Sequence, residues 1–209
     1  MAESVDNILN ELSAGLNTPQ LRAVAKRLGC DQALAEELWD TGVSDARVLA
    51  ALIGDPRRIT RTTMDLWAAD FSSWGLCDAC CCNLFDRSPY AWPKIRKWAK
   101  DEREFVRRAA FATIAAIAVH DKAAPDEVFL NALSLIEKYS FDGRNFVRKG
   151  VNWALRNIGK RNSTLCAAAL QCSERIRAQG TSSARWIAAD AIRELRAKLL
   201  SRGTGAAGA

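Results

Sequence analysis

The chain has 209 residues, of which 49% are hydrophobic and 26% are charged, with only 5 Pro and 12 Gly. This composition excludes a disordered chain, a collagen-like chain and a Gly/Pro-rich all-β architecture, and the length is sufficient to bury a core without disulfides. The 30 Lys and Arg outnumber the 24 Asp and Glu, which gives a formal net charge of +6.

Nearly every segment has the pattern of an amphipathic helix, because apolar residues recur at spacings of three and four. No alternating run of β-branched residues indicates a strand, so the predicted fold class is all-α. The first predicted helix begins near Thr18 and Pro19, a capping residue and a first-turn proline, and ends near Gly29. The other predicted helices cover residues 31–41, 44–54, 60–71, 73–85, 89–100, 103–120, 125–139, 144–160, 162–179 and 182–201.

We expect a single domain over residues 1–202, followed by a frayed tail of small, uncharged residues at 203–209. The N-terminus lacks the charged and apolar regions of a signal peptide, and no stretch approaches the roughly 20 apolar residues that a membrane span needs. The sequence therefore predicts a cytoplasmic monomer that does not associate with a membrane.

Two segments repeat each other at a fixed offset of 41 residues, so that Phe105 aligns with Phe146 and Arg107 with Arg148. A weaker copy begins at Ser183. Helix pairs that repeat about every 40 residues are typical of HEAT- and armadillo-type solenoids, whose stacked pairs curve to form a concave surface. The predicted architecture is an α-solenoid with a basic concave groove.

Charge is divided unevenly along the chain. Residues 1–78 hold 7 Lys and Arg against 12 Asp and Glu, a net charge of −5, whereas residues 79–209 hold 23 against 12, a net charge of +11. This asymmetry indicates a polyanionic partner for the C-terminal part, although a merely solvated basic face is an equally good interpretation. The residues predicted to bind this polyanion are Arg107, Arg148, Lys149, Arg156, Lys160, Arg161 and Arg185.

A carboxylate and an indole share one helical face, since Trp74 and Asp78 are four residues apart. The residues around Asp78 are apolar or small, so its carboxylate must be paired, be neutralised or face a functional cavity. Arg108 or another member of the basic stripe is the expected partner.

Trp153 lies among cations, one helical turn before Arg156, and could hold a sugar, a base or a cation by stacking. Packing in the core is nevertheless the more frequent role of a tryptophan at helical spacing. We apply that expectation to Trp153 and equally to Trp39, Trp67, Trp92, Trp98 and Trp186.

Four cysteines cluster at Cys77, Cys80, Cys81 and Cys82. Consecutive helical residues point about 100° apart, so two of them at most could face one ion, and buried packing between helices is the better interpretation. We expect no metal and no cofactor, since the sequence lacks the usual phosphate-loop, dinucleotide, hydrolase-elbow and zincin motifs.

The ordered motifs Ser-Trp-x-x-x-Asp at 73–78, Phe-Val-Arg-Arg-Ala-Ala from Phe105 and Phe-Val-Arg-Lys-x-Val-x-Trp from Phe146 resemble the AlkD-like DNA glycosylases of the DNA alkylation repair family. The resemblance spans roughly residues 18–200. It implies hydrolysis of the N-glycosidic bond of purines alkylated at N3 or N7, such as 3-methyladenine and 7-methylguanine, in duplex DNA. It also implies that Asp78 is the catalytic carboxylate, with Trp74, Trp153 and Arg108 completing the catalytic set.

Two alternatives remain open at this stage. HEAT-like relatives can bind nucleic acid without turnover, which would leave this chain a DNA-recognition protein. Solenoids in general serve most often as protein–protein scaffolds, and that role predicts weak DNA affinity that is nearly independent of salt.

Overall fold

Several helices of this chain begin where a short polar side chain accepts a backbone N–H that the helix leaves unpaired. Ser4, Asn17, Asp31, Thr60, Ser73 and Asn162 all do so. The computed structural model describes residues 3–206, with side chains for residues 3–199, and shows only helices and turns within that range. The predicted all-α class is therefore confirmed.

The described residues form two compact units, an N-terminal unit that ends at Lys94 and a C-terminal unit that begins at Ile95. The expected single domain over residues 1–202 stays a prediction. The expected tail over 203–209 also stays a prediction. Helix α12 continues to Ala206, and residues 207–209 lie outside the described part.

The N-terminal unit contains six α-helices and one short 3-10 helix. They are α1 (Val5–Leu12), α2 (Thr18–Leu28), α3 (Gln32–Asp40), α4 (Ser44–Ile53), α5 (Arg61–Ala69), α6 (Trp74–Asn83) and the 3-10 helix Phe85–Arg87. Helix α7 (Ala91–Trp98) contains the boundary between the units.

Three details of this unit differ from the sequence prediction. Helix α1 was missed, although Ile8 and Leu12 bury the apolar side that a helix would give them. The cap of α2 is Asn17 rather than Thr18, since Asn17 forms a reciprocal capping box with Gln20. Helix α6 ends at Asn83, two residues before the predicted end.

Aromatic side chains form much of the core of the N-terminal unit. The indoles of Trp39 and Trp67 stack with ring centroids 4.1 Å apart, and Phe71 meets the edge of Trp39 at 6.3 Å. Both tryptophans are buried, as the sequence predicts. Cys77, Cys80 and Cys81 are also fully buried in this unit, which confirms that they pack between helices.

The C-terminal unit contains the longer helices. They are α8 (Glu104–His120), α9 (Asp126–Tyr139), α10 (Asn145–Gly159), α11 (Ser163–Ala178) and α12 (Ser182–Ala206). Trp98 is buried here as predicted, whereas Trp186 is 38% exposed, so its predicted place in the core is wrong. It lies on the side of α12 opposite the buried Ala184 and Ala188.

The 41-residue repeat is confirmed by contacts between equivalent parts of successive helix pairs. The rings of Phe105 and Phe146 lie 5.3 Å apart, and the Asn157 amide donates to the carbonyl of Ala115 at 3.1 Å. Gly159 allows a close approach, because a Cβ there would lie 2.7 Å from Leu195. Within the C-terminal unit, one helix pair therefore buries its apolar side on the next pair, as in HEAT-like repeats.

Candidate nucleic-acid interface

Helix α6 presents an indole and a carboxylate on its outer face. The Ser73 hydroxyl accepts the Leu76 amide at 3.3 Å and so fixes where the helix begins. Trp74, the first helical residue, is 56% exposed, and Asp78, one turn later, is half-buried. The buried residues Leu76 and Cys80 lie on the opposite side of the helix, and the buried Cys77 and Cys81 border the outer face.

This placement alters the inference drawn from the apolar residues around Asp78. The adjacent residues Cys77 and Ala79 point about 100° away from Asp78, so the burial of Cys77 does not require Asp78 to be buried. The half-exposed carboxylate keeps access to solvent and stands one turn from a large aromatic surface. A negative charge beside an accessible aromatic face suits a cationic or electron-deficient ligand.

Helix α10 carries cations on both sides of an indole. Lys149, Trp153, Arg156 and Lys160 follow the spacing i, i+4, i+7 and i+11, which places them along one face. Lys149 is exposed and the other three are half-buried. The half-buried indole is therefore an accessible surface as well as a packing residue.

Two carboxylates of α12 neutralise part of this face. The Arg156 guanidinium lies 3.5 Å from Asp190 and also pairs with Glu194, which binds Lys160 as well. Burial raises the pKa of Glu194, but the hydrogen bonds from Lys160 and Arg156 outweigh burial and lower that pKa below its usual value. Sequence reasoning missed both acids. Asp190 and Glu194 are four residues apart in the weaker repeat copy that begins at Ser183, and this spacing could have predicted that they share one helix face.

Asn152 extends this polar contact between the two helices, since its amide donates to Asp190 at 2.7 Å. Arg148 instead holds its guanidinium carbon 4.9 Å from the ring centre of Trp186. Arg185 is exposed and donates to the carbonyl of Gly180. Among the predicted DNA-binding residues, four have no carboxylate partner in the described part of the chain: Arg148, Lys149, Arg161 and Arg185.

Arg107, Arg108 and Arg161 donate to backbone carbonyls in other parts of the fold. Arg107 donates to Asp142 at 2.6 Å and to the carbonyl of Ala99 at 3.1 Å. Arg108 is only 6% exposed and donates to the carbonyl of Phe146 at 2.8 Å. Such contacts join consecutive helix pairs, so both arginines contribute to the packing of the repeat.

Arg161 closes the C-terminal end of α8. It donates to the carbonyls of Ala118, Asp121 and Ala124 at 2.9, 2.8 and 3.1 Å, and its guanidinium lies 4.2 Å from the ring centre of Phe129. These carbonyls have no partner within the helix, so a cation there satisfies them and complements the helix dipole.

The predicted site residues are divided between the two units: Trp74 and Asp78 belong to the N-terminal unit, and the others belong to the C-terminal unit. Among the described residues, no three His, Cys, Asp or Glu side chains are grouped so that they could hold a metal ion. None of the described helices is both long and apolar enough to cross a membrane.

The chain matches a known family in sequence and a solved structure in fold. Residues 9–195 match the family described as DNA alkylation repair enzyme. A solved structure described as a new family of proteins related to the HEAT-like repeat DNA glycosylases with affinity for branched DNA structures is 21% identical. It superposes with a TM-score of 0.68 over 77% of this chain and 69% of that chain. No curated protein sequence matches.

Proposed function

Because the chain belongs to the DNA alkylation repair enzyme family, we propose that it is a DNA glycosylase that removes cationic N3- or N7-alkylated purines from duplex DNA by hydrolysis. The observation that carries the proposal is the half-buried Asp78 carboxylate one turn from the exposed Trp74 indole on the outer face of α6. Both residues lie inside the matched range, 9–195.

The chemistry requires few groups. Alkylation at N3 or N7 makes the purine cationic and therefore a good leaving group, so no strong acid is needed to protonate it. The Asp78 carboxylate stabilises the oxocarbenium-like sugar as the glycosidic bond breaks and orients the attacking water. The Trp74 face adds a cation–π attraction for the same developing charge, about 0.5–2 kcal/mol. The reaction then proceeds without a cofactor.

The cations of the C-terminal unit supply affinity for the phosphate backbone. Lys149 and Arg185 are exposed, which suits contacts that displace counterions and confer salt dependence. Trp153, between Lys149 and Arg156 on α10, offers DNA a second aromatic face. The catalytic role that the resemblance gives Arg108, at the backbone beside the lesion, stays a prediction, since Arg108 is buried here and donates to the carbonyl of Phe146.

Release of free 3-methyladenine and 7-methylguanine from methylated duplex DNA tests the proposal. Wild type should release base under single-turnover conditions. Asp78→Asn should lower the rate at least about 100-fold while leaving DNA affinity equal or higher, because it removes a negative charge near phosphate. Glu37→Gln is the matched control, since it removes one charge from an exposed position of the same unit and should leave the rate unchanged.

Retained excision by Asp78→Asn would contradict the role of Asp78. Absence of base release from every lesion, in wild-type protein that binds DNA, would contradict the glycosylase assignment itself.

Recognition of branched DNA without turnover is the second candidate function. The solved structure with the same fold is described as having affinity for branched DNA structures. The pairing of Arg156 and Lys160 with acids of α12 also reduces the charge available to a straight duplex. Fluorescence anisotropy with a four-way junction and a linear duplex of equal length separates the candidates. Junction affinity at least about tenfold higher, with no base release, would favour recognition alone.

A further inference from the structure

A cationic pocket lies in the N-terminal unit, where α2 passes the C-terminal ends of α4 and α6. Its volume is about 350 Å³, and Arg22, Lys26, Arg87, Asn83 and Cys30 line it. The described residues that line the pocket include three cations and no carboxylate. All of them belong to the N-terminal unit, whereas the predicted DNA-binding residues all belong to the C-terminal unit.

The charge of this pocket is opposite to that of its unit. Residues 1–94 hold 9 Lys and Arg against 13 Asp and Glu, a net charge of −4. Arg22 and Lys26 have no carboxylate partner among the described residues. By contrast, three other cations of the unit are paired: Arg27 with Glu11, Arg47 with Asp70 and Lys94 with Asp65. Arg87, the third cation of the pocket, lies 3.9 Å from Asp86. The positive charge that no carboxylate of the described residues pairs is therefore that of Arg22 and Lys26.

Hydrogen bonds within the protein orient two side chains that line the pocket, Asn83 and Arg22. The Asn83 amide nitrogen donates to the carbonyl of Ala79 at 2.7 Å, which turns the amide oxygen toward Arg22. The Arg22 guanidinium meets that oxygen at 3.4 Å and keeps its other donors for a ligand. A guanidinium held in this way loses little freedom when it binds an anion.

These cations have an alternative role that needs no ligand, which is to stabilise the partial negative charge at the C-terminal end of a helix. Lys26 lies in the last turn of α2, where a cation is stabilising without any ligand. Arg22 is the fifth residue of α2 and lies away from that helix end. Removal of a cation that only stabilises a helix end would lower protein stability and leave DNA affinity unchanged, so the two roles predict different results.

We propose that this pocket binds a phosphodiester group of the DNA backbone, which gives the N-terminal unit a DNA contact of its own. The volume accommodates one phosphate, and an arginine with a lysine provides the directed donors and the point charge that phosphate oxygens bind. The choice of DNA as the ligand of this pocket rests on the proposed function.

DNA affinity measured against salt concentration tests this inference. The double variant Arg22→Gln/Lys26→Gln should lower affinity at least about fivefold near 50 mM salt and reduce the slope of log K against log salt by about 1–2. The matched control is Arg27→Gln/Arg61→Gln, which removes the same charge from the same unit. Arg27 is held by Glu11, Arg61 lies 4.8 Å from the Tyr90 ring centre, and neither lines the pocket.

Labelling of Cys30 reports directly on the pocket. Cys30 lines the pocket and is the exposed one among the seven cysteines, all of which lie in the described range. Undamaged duplex DNA should slow its reaction with a maleimide in wild type and in the control, but not in the pocket variant. Inorganic phosphate at equal ionic strength should protect less than DNA does.

Four results would overturn the inference: a salt slope equal to that of the control, unprotected Cys30 in DNA-bound wild type, better protection by inorganic phosphate, or reduced stability of the pocket variant with unchanged affinity. Wild-type protein that fails to bind DNA at all would instead contradict the proposed function. The two failures are therefore distinguishable.

Discussion

Arg107 and Asp142 form an ion pair across 35 residues of chain, with 2.6 Å between Nη1 and Oδ2 and side chains only 12% and 5% exposed. Arg144 donates to the same carboxylate, also at 2.6 Å. This cluster links the start of α8 to the segment that leads into α10. It occupies Arg107, an arginine that the sequence alone assigns to DNA.

Acid should weaken this cluster in a defined pH range. Burial raises the pKa of Asp142, but the hydrogen bonds from Arg144 and Arg107 outweigh burial and lower that pKa to about 2. Because the folded-state pKa is below the unfolded value, the stabilisation is complete above about pH 5 and is lost as the pH falls through 4 toward 2. It amounts to about 2 kcal/mol.

Urea unfolding of wild type and Asp142→Asn at pH 6 and pH 3 measures this effect. The variant should be less stable at pH 6, and its difference from wild type should narrow by about 1 kcal/mol at pH 3. A difference that is the same at both pH values would show that the carboxylate is not held in this way.

Arg161→Gln should destabilise the fold and leave DNA affinity within about twofold of wild type. The substitution leaves carbonyls at the end of α8 without their cationic donor, which lowers the free energy of unfolding by about 2–4 kcal/mol. Arg175→Gln, which removes an exposed partner of Glu137, should lower it by less than about 1 kcal/mol. Weaker DNA binding at unchanged stability would instead support the sequence prediction for Arg161.

Glu194→Gln should strengthen DNA binding, because it releases Arg156 and Lys160 from their shared carboxylate. The slope of log K against log salt should become steeper by about 1–2. Glu174→Gln is the control, since Glu174 pairs with Arg177 and Arg196 rather than with the α10 cations. Equal slopes for wild type and Glu194→Gln would show that the α10 cations do not contact DNA.

Trp153→Ala should lower the rate of base excision about 2- to 30-fold, the loss expected from one cation–π contact, and lower Tm by less than about 5 °C. The buried Trp98→Ala should lower Tm by about 10 °C or more, because it leaves a cavity. If Trp153→Ala matches Trp98→Ala in the thermal scan, Trp153 serves as a core residue.

The sequence predicted the all-α class, the 41-residue repeat and most helix boundaries to within a few residues, because helical periodicity and caps are local properties. Helix α1 was missed since it lies before the first recognised start signal. The burial of Cys77, Cys80 and Cys81 was also predictable from small apolar side chains in a helical run.

Only the tertiary structure decided which cations are available to a ligand. The partners of Arg107 and Arg156 lie 35 and 38 residues farther along the chain, a separation at which local patterns say nothing about contact. The exposure of Trp186 and the half-burial of Asp78 depend likewise on which helix faces are covered by neighbours. The amino-acid sequence thus determined the helices and their repeat, and the packing of one repeat on the next determined which charges the protein neutralises itself.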